Sequence, residues 1–258
     1  MRIDELSRPI VVGHRGFRAK YPENTMSGFH AAVDAGIEMV ELDVSLSKDR
    51  HVVVMHDETL DRTTNGRGAV RDSLWAEIRQ LDAGSWFDGR FSGEPVPDLK
   101  AVFESIGKQC VINVEIKPDA VEPEERPDGI ENQVAAAIDC YGLLGSVVVS
   151  SFHPLALKRL AVRPAEKRPL LAVLSGKKTP FDPFEVLQSI PAFSWHPDHR
   201  LLDAAAVETA HRLGVLVLPY TVNDMADIRR LLDMGVDGII TDDPVSVRTW
   251  LKTAIPFG

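Results

Sequence analysis

The sequence predicts an α/β fold of the TIM (β/α)8 barrel class, with a small insertion after the second strand. Three observations predict it. The chain has 258 residues, a length at which one such barrel forms a single domain. From Ile10 onward, short β-branched runs alternate with amphipathic helical stretches, the pattern of parallel strands joined by crossover helices. Eight of these runs end at Val12, Asp43, Ile116, Ser151, Leu174, Trp195, Tyr220 and Thr241.

The first strand leads into His14-Arg15-Gly16, and a helix over 26–35 follows, with Thr25 as a start signal and Gly36 as its stop. The second strand carries Glu41 and Asp43. The next apolar run, Val52 to Met55, comes too soon for a parallel crossover, which needs about a dozen residues. It is therefore expected to be the return arm of a hairpin with Lys48-Asp49 near its tip, placing His56 across from Glu41 and Asp43. The stretch from Asp57 to Lys100 is rich in Gly, Asp, Arg and aromatic residues, with one helix expected over 73–81. It reads as an insertion over the barrel mouth, about 45–108 in all, whose small core is drawn from Trp75, Trp86, Phe87 and Phe91.

The third barrel strand, Val111 to Ile116, presents Glu115 and leads to Lys117. The acidic, proline-bearing segment 118–131 reads as a solvated loop. Helices over 130–141, 201–213 and 225–234 stop at Gly142, Gly214 and Gly235, and Asn223 and Asp243-Pro244 supply further start signals. Cys110 and Cys140 are the only cysteines and are expected to be buried and unpaired.

A net charge of −9 argues against a nucleic-acid partner, whose phosphates it would repel. An anionic substrate would need a bound cation or a few placed Arg and Lys. Met1 to Arg8 precede only a few apolar residues, far short of a secretory or membrane-spanning segment, so a cytoplasmic location without stable membrane insertion is expected. Self-association is left open.

Catalytic groups of such barrels lie just past the strand ends. Glu41 and Asp43, two apart, share one strand face, and with Glu115 they offer three hard oxygen donors from neighbouring strands. These suit one divalent cation, Mg2+ or Ca2+; carboxylates turned into a barrel without a cation would be costly. His14 and His56 follow strands beside that set and can remove and deliver a proton near neutral pH, as phosphodiester cleavage requires. Arg15 offers a planar fork and Lys117 a point charge for phosphate oxygens, or else charge balance for the carboxylates. Glu23 and Asn24 read equally as capping groups or ligand contacts. His153, His196 and Tyr220 either line the pocket or pack at its rim, and Arg62-Thr63-Thr64 either binds phosphate or orders its loop. His30, His51, His199 and His211 read as surface residues.

Several motifs together resemble the glycerophosphodiester phosphodiesterase family: His14-Arg15-Gly16, Pro22-Glu23-Asn24-Thr25, Glu41-Leu42-Asp43-Val44, His56-Asp57 with the run to Thr64, Glu115-Ile116-Lys117, Ser151-Phe152, Thr221-Val222-Asn223 and Gly235 to Pro244. The resemblance implies a barrel with an insertion after the second strand. It also implies one divalent cation on Glu41, Asp43 and Glu115, His14 and His56 as the acid/base pair, and phosphate oxygens held by Arg15 and Lys117. Its implied reaction is attack by a glycerol hydroxyl on its own phosphorus, giving a cyclic phosphate that water opens to glycerol 3-phosphate. Tyr220 departs from the Trp of many members, which bears on pocket shape, and Arg50 replaces a common turn glycine. Two other readings compete. A phospholipase D-like or cyclising lyase acting on lysophospholipids predicts a broad apolar face at the barrel mouth, and a non-catalytic phosphodiester-binding barrel is disfavoured by the full set of histidines, carboxylates and cations.

Overall fold

The computed structural model describes residues 1–254. Its strands are β1 (Ile10–Gly13), β2 (Met39–Leu46), β3 (Val52–Val54), β4 (Val111–Ile116), β5 (Val147–Ser151), β6 (Leu170–Ser175), β7 (Ala192–Pro197), β8 (Leu216–Val217) and β9 (Gly238–Thr241). Hydrogen-bonded neighbours run β8-β7-β6-β5-β4-β2-β1-β9, with β3 paired to β2 alone. The ring closes where the Asp237 amide donates to Val217 O and the Ile240 amide to Pro219 O. This is the eight-stranded parallel barrel expected from the sequence. Its helices are α1 (Met26–Asp34), α2 (Trp75–Ile78), α3 (Leu99–Ile106), α4 (Ile130–Tyr141), α5 (Pro154–Ala161), α6 (Pro183–Ser189), α7 (Ala204–Arg212), α8 (Met225–Asp233) and α9 (Pro244–Ala254).

Period-two alternation sorts each strand between two cores. Val40, Leu42 and Val44 of β2 pack under the helices, while Met39 joins Ile10, Val12, Val111, Val148 and Ile240 inside the ring. Glu41 and Asp43 share the inner face of Met39, and Asn113 and Glu115 of β4 sit level with them in the register Glu41↔Asn113, Asp43↔Glu115. The hairpin forms as expected: β3 runs antiparallel to β2, Val54 opposite Val44, and the Met55 amide extends the pairing to Asp43 O.

Elsewhere the structure corrects the sequence reading. The strand expected to reach Tyr220 is regular only to Val217; Pro219 has no amide to donate, and Tyr220 keeps one bridge to Asp198. The helix expected from Leu201 begins at Ala204, capped by Asp203, after a 3-10 turn over His199–Leu201. Asp224, not Asn223, caps α8. The segment read as a solvated loop before α4 contains a 3-10 turn over Pro118–Ala120, and Glu131, in its last position, is buried against Arg159 at 2.8 Å. Helix α3, at the end of the stretch assigned to the insertion, packs Val102, Phe103 and Ile106 into the core between ring and helices.

The insertion's small core is mainly aliphatic, formed by Val53, Met55, Leu60, Val70, Ile78, Ala83 and Val96 with Trp75 against it. Phe87 and Phe91 instead join Trp86 and Tyr21 in an outer aromatic chain. Cys140 is exposed, on the outer side of α4, whereas Cys110 is buried. His51 is half-buried, stacked on Trp75 and bonded to Asp98, and His199 is half-buried too. Among the described residues no helix is long and apolar enough to cross a membrane.

Candidate active site

At the carboxyl ends of the strands a cavity of about 190 Å3 is bordered by His14, Arg15, Glu41, His56, Glu115, Lys117 and Tyr220. Asp43 lies directly behind it, 1% exposed. The sequence-predicted residues therefore converge on one place.

The loop after β1 is shaped by two consecutive left-handed residues, Arg15 (φ 53°) and Gly16 (φ 88°). Gly16 is required there on a second count, because a Cβ would stand 2.9 Å from the Gly28 carbonyl carbon. The turn aims the Arg15 amide at Glu41 Oε2, 2.8 Å away, and the guanidinium at Glu23 Oε1 (2.6 Å) and Asp43 Oδ2 (3.2 Å). Asn24, also left-handed at φ 56°, donates its side-chain amide to Asp43 Oδ2 and accepts the Asp43 amide. Lys117 Nζ donates to Glu115 Oε1 at 2.7 Å and to Asp43 Oδ1 at 3.3 Å.

Glu41, Asp43 and Glu115 each bring a carboxylate oxygen within 4.8 Å of the others. Burial, with the charges of Asp43 and Glu115, pushes the Glu41 carboxyl well above its ordinary range. Burial also raises Glu115, against the pull of Lys117. For Asp43 burial is overcome by Lys117 and Arg15, which hold it far below. Three carboxyl groups thus face one ammonium, Lys117, and one guanidinium, Arg15, an imbalance that a proton or a bound cation relieves. Beside the cluster, Asn113 Oδ1 is buried without a donor. An oxygen-only donor set with an orphaned amide oxygen fits a hard divalent cation.

Each histidine is braced by a carboxylate. His14 Nδ1 lies 2.7 Å from Asp242 Oδ1, and His56 Nδ1 lies 2.6 Å from Asp57 Oδ1. An acceptor at Nδ1 places the proton there and leaves Nε2 with its lone pair in the neutral form. Burial lowers the pKa of both rings, outweighing the Asp242 bond at His14 and, with the Lys117 and Arg15 charges, the Asp43 charge and the Asp57 bond at His56.

Sequence reasoning gives Asp242 and Asp57 no role of their own, although Asp57 adjoins His56 and Asp242 continues the inward face of β9 two residues past Ile240. Glu23, read as a capping group or ligand contact, is neither a helix cap nor on the cavity border: it is buried where Arg15, Arg18 and Arg62 meet, and those cations drive its carboxyl far down despite burial. Arg62 bonds both Glu23 and Asp57 and orders its loop. His153 caps α5. His196 is fully buried inside the ring, Nε2 2.9 Å from Ser194 Oγ, and does not border the cavity.

The model of the glycerophosphoryl diester phosphodiesterase family matches residues 14–246. A glycerophosphodiester phosphodiesterase of Caldanaerobacter subterraneus is 40% identical over 92% of this chain and 95% of its own length. One from Bacillus subtilis is 34% identical over 92% and 84%. Among solved structures, an Oleispira antarctica phosphodiesterase in complex with sn-glycerol-3-phosphate superposes with a TM-score of 0.82 at 29% identity, covering 95% of this chain and 97% of that one. The chain therefore belongs to the glycerophosphoryl diester phosphodiesterase family.

Proposed function

We propose that the protein hydrolyses glycerophosphodiesters to glycerol 3-phosphate and an alcohol, with a divalent cation, Mg2+ or Ca2+, on Glu41, Asp43 and Glu115, and with His14 and His56 as the proton-transfer pair. One observation carries this reading: two carboxylate-braced imidazoles border the same small cavity as a buried three-carboxylate cluster. The product complex of the Oleispira antarctica relative supports a small-molecule substrate with a glycerol 3-phosphate half. The −9 charge supports a partner other than nucleic acid; a cytoplasmic location is part of the same proposal.

When bound, the cation would supply Lewis-acid polarisation and neutralise developing charge. Arg15 and Lys117, held in place by Glu23, Asp43 and Glu115, orient the phosphate oxygens. Nε2 of one imidazole takes the proton of a glycerol hydroxyl as that oxygen bonds to phosphorus. Nε2–H of the other gives a proton to the departing alkoxide as the P–O bond to the alcohol breaks. The pair then acts in reverse, with water opening the cyclic phosphate to glycerol 3-phosphate. Because attacker and phosphorus belong to one molecule, much of the entropic barrier is removed.

The test is an assay of several glycerophosphodiesters with Mg2+, with Ca2+ and with chelator, following glycerol 3-phosphate. Product that appears with metal and disappears with chelator is expected. No product from any diester with either ion would overturn the reading.

A further inference from the structure

The catalytic cavity, at about 190 Å3, is smaller than the roughly 300–1,000 Å3 of most small-molecule sites. It encloses one half of a diester, and the other alcohol must extend beyond it. A second cavity of about 880 Å3 adjoins it over the ends of β5 and β6. Phe152 and Tyr220 border both spaces, their rings edge to face with centroids 5.8 Å apart, so the two spaces share this wall. Tyr220 Oη donates to Ser175 O at 3.1 Å, and the room it occupies depends on Gly176, where a Cβ would stand 2.8 Å from that oxygen.

The second cavity joins an apolar floor, Phe152 with Phe181, to a basic rim of Lys177, Lys178 and Arg200. Arg200 is spent on Asp198, to which its guanidinium donates at 2.8 and 2.7 Å. The two lysines are exposed, and among the described residues the only lysine ion pairs are those of Lys117. Two uncompensated positive charges thus stand on the border of this second cavity in a protein of net charge −9.

Resting on the phosphodiesterase reading, we infer that this cavity is the leaving-alcohol subsite and that it selects an alcohol bearing a second anionic group, a phosphate or carboxylate, over one bearing a quaternary ammonium. The aromatic wall packs the carbon skeleton of the alcohol. Lys177 and Lys178 attract the anion and repel a cation, an effect that added salt weakens.

Three diesters with the same glycerol 3-phosphate half and choline, inositol or inositol 4-phosphate as leaving alcohol test this, using wild type, Lys177→Ala/Lys178→Ala and Lys177→Glu/Lys178→Glu. Exposed charges act modestly. The double alanine variant is therefore expected to raise KM about two- to thirtyfold for the inositol 4-phosphate diester, with kcat and the neutral diester unchanged, while the double glutamate variant turns the preference toward choline. A wild-type preference for choline, equal losses on all three diesters, or lysine variants that change nothing would overturn the subsite. So would preferred turnover of a fatty-acyl diester that is indifferent to the lysines. Calorimetric titration with free inositol 4-phosphate reads the cavity without turnover: binding lost in the double alanine variant upholds the subsite even where no diester is cleaved and the phosphodiesterase reading fails, and binding that is absent or unaltered overturns it.

Discussion

Inside the ring, below the mouth, the two halves of the barrel both bury polar side chains and are built from opposite chemistry. On one side β1, β2, β4 and β9, with the loop after β3, bring Arg15, Glu41, Asp43, Glu115, Lys117 and Asp242 together, and the neighbouring loop adds Glu23. On the other, β5 to β8 turn Ser150, Ser194, His196 and Ala172 inward. Burial does not separate them, since Ser194 and Asp43 are almost equally inaccessible, at 0% and 1%. Charge compensation does. In the first half every buried carboxylate has a cation or a backbone amide against it, and the ions are tolerated because they hold one another. In the second a titratable ring stays inside by remaining neutral. The charged half is suited to reaction and the neutral half to shape.

Four predictions would break or sharpen that contrast. The largest effect is expected from His14→Ala and His56→Ala: turnover should fall by about 10²–10⁴-fold, with an unchanged circular dichroism spectrum. Wild-type rates in either variant, with metal present, would remove that ring from the proton-transfer pair. Next comes Glu23→Ala, which removes the carboxylate that Arg15, Arg18 and Arg62 share and leaves each with only its other partner, Asp43, Asp242 or Asp57; it should cost about 3–5 kcal/mol, read from urea unfolding. A loss within error of zero would mean that the charged half does not depend on this hub. Third, Asp242→Asn offers His14 an amide that can donate to Nδ1 and favour the wrong tautomer, so kcat should drop about 10²-fold or more with KM little changed. An equal rise in KM would assign Asp242 to binding.

The smallest effect belongs to the neutral half. Burial lowers the His196 pKa to about 3, against about 6.5 in the unfolded chain. Between those values the unfolded chain binds a proton that the folded one excludes, so stability falls as pH falls below about 6.5. His196 should cost the wild type on the order of 1–2 kcal/mol between pH 6.5 and 5, and His196→Gln should lack that part of the slope. Parallel slopes would show that the ring is not kept neutral.

Much of the charged half was legible because it follows strand periodicity. The alternation of Glu41 and Asp43 with Val40, Leu42 and Val44 gives their direction, and the short spacing from Asp43 to Val52 dictates the hairpin that brings His56 in. What escaped depends on closure of the ring and on irregular backbone. The His14–Asp242 contact joins residues 228 apart and exists because β1 pairs with β9. Glu23 meets its three arginines through a left-handed loop that no periodicity announces. On the neutral side, Pro219 cut short the regular strand at Val217; on the charged side, the short α3 was masked by the prolines at 95 and 97 before it.

The β3 hairpin is a branch on the ring and forms no part of it. Excising the chain between Ser47 and Pro97 would remove no barrel strand and would delete His56 with its partner Asp57. For protein engineering the branch is therefore a cartridge: a transplant between related barrels would carry the candidate proton-transfer residue His56 and the insertion together, while the metal-ligand candidates stay behind in the host.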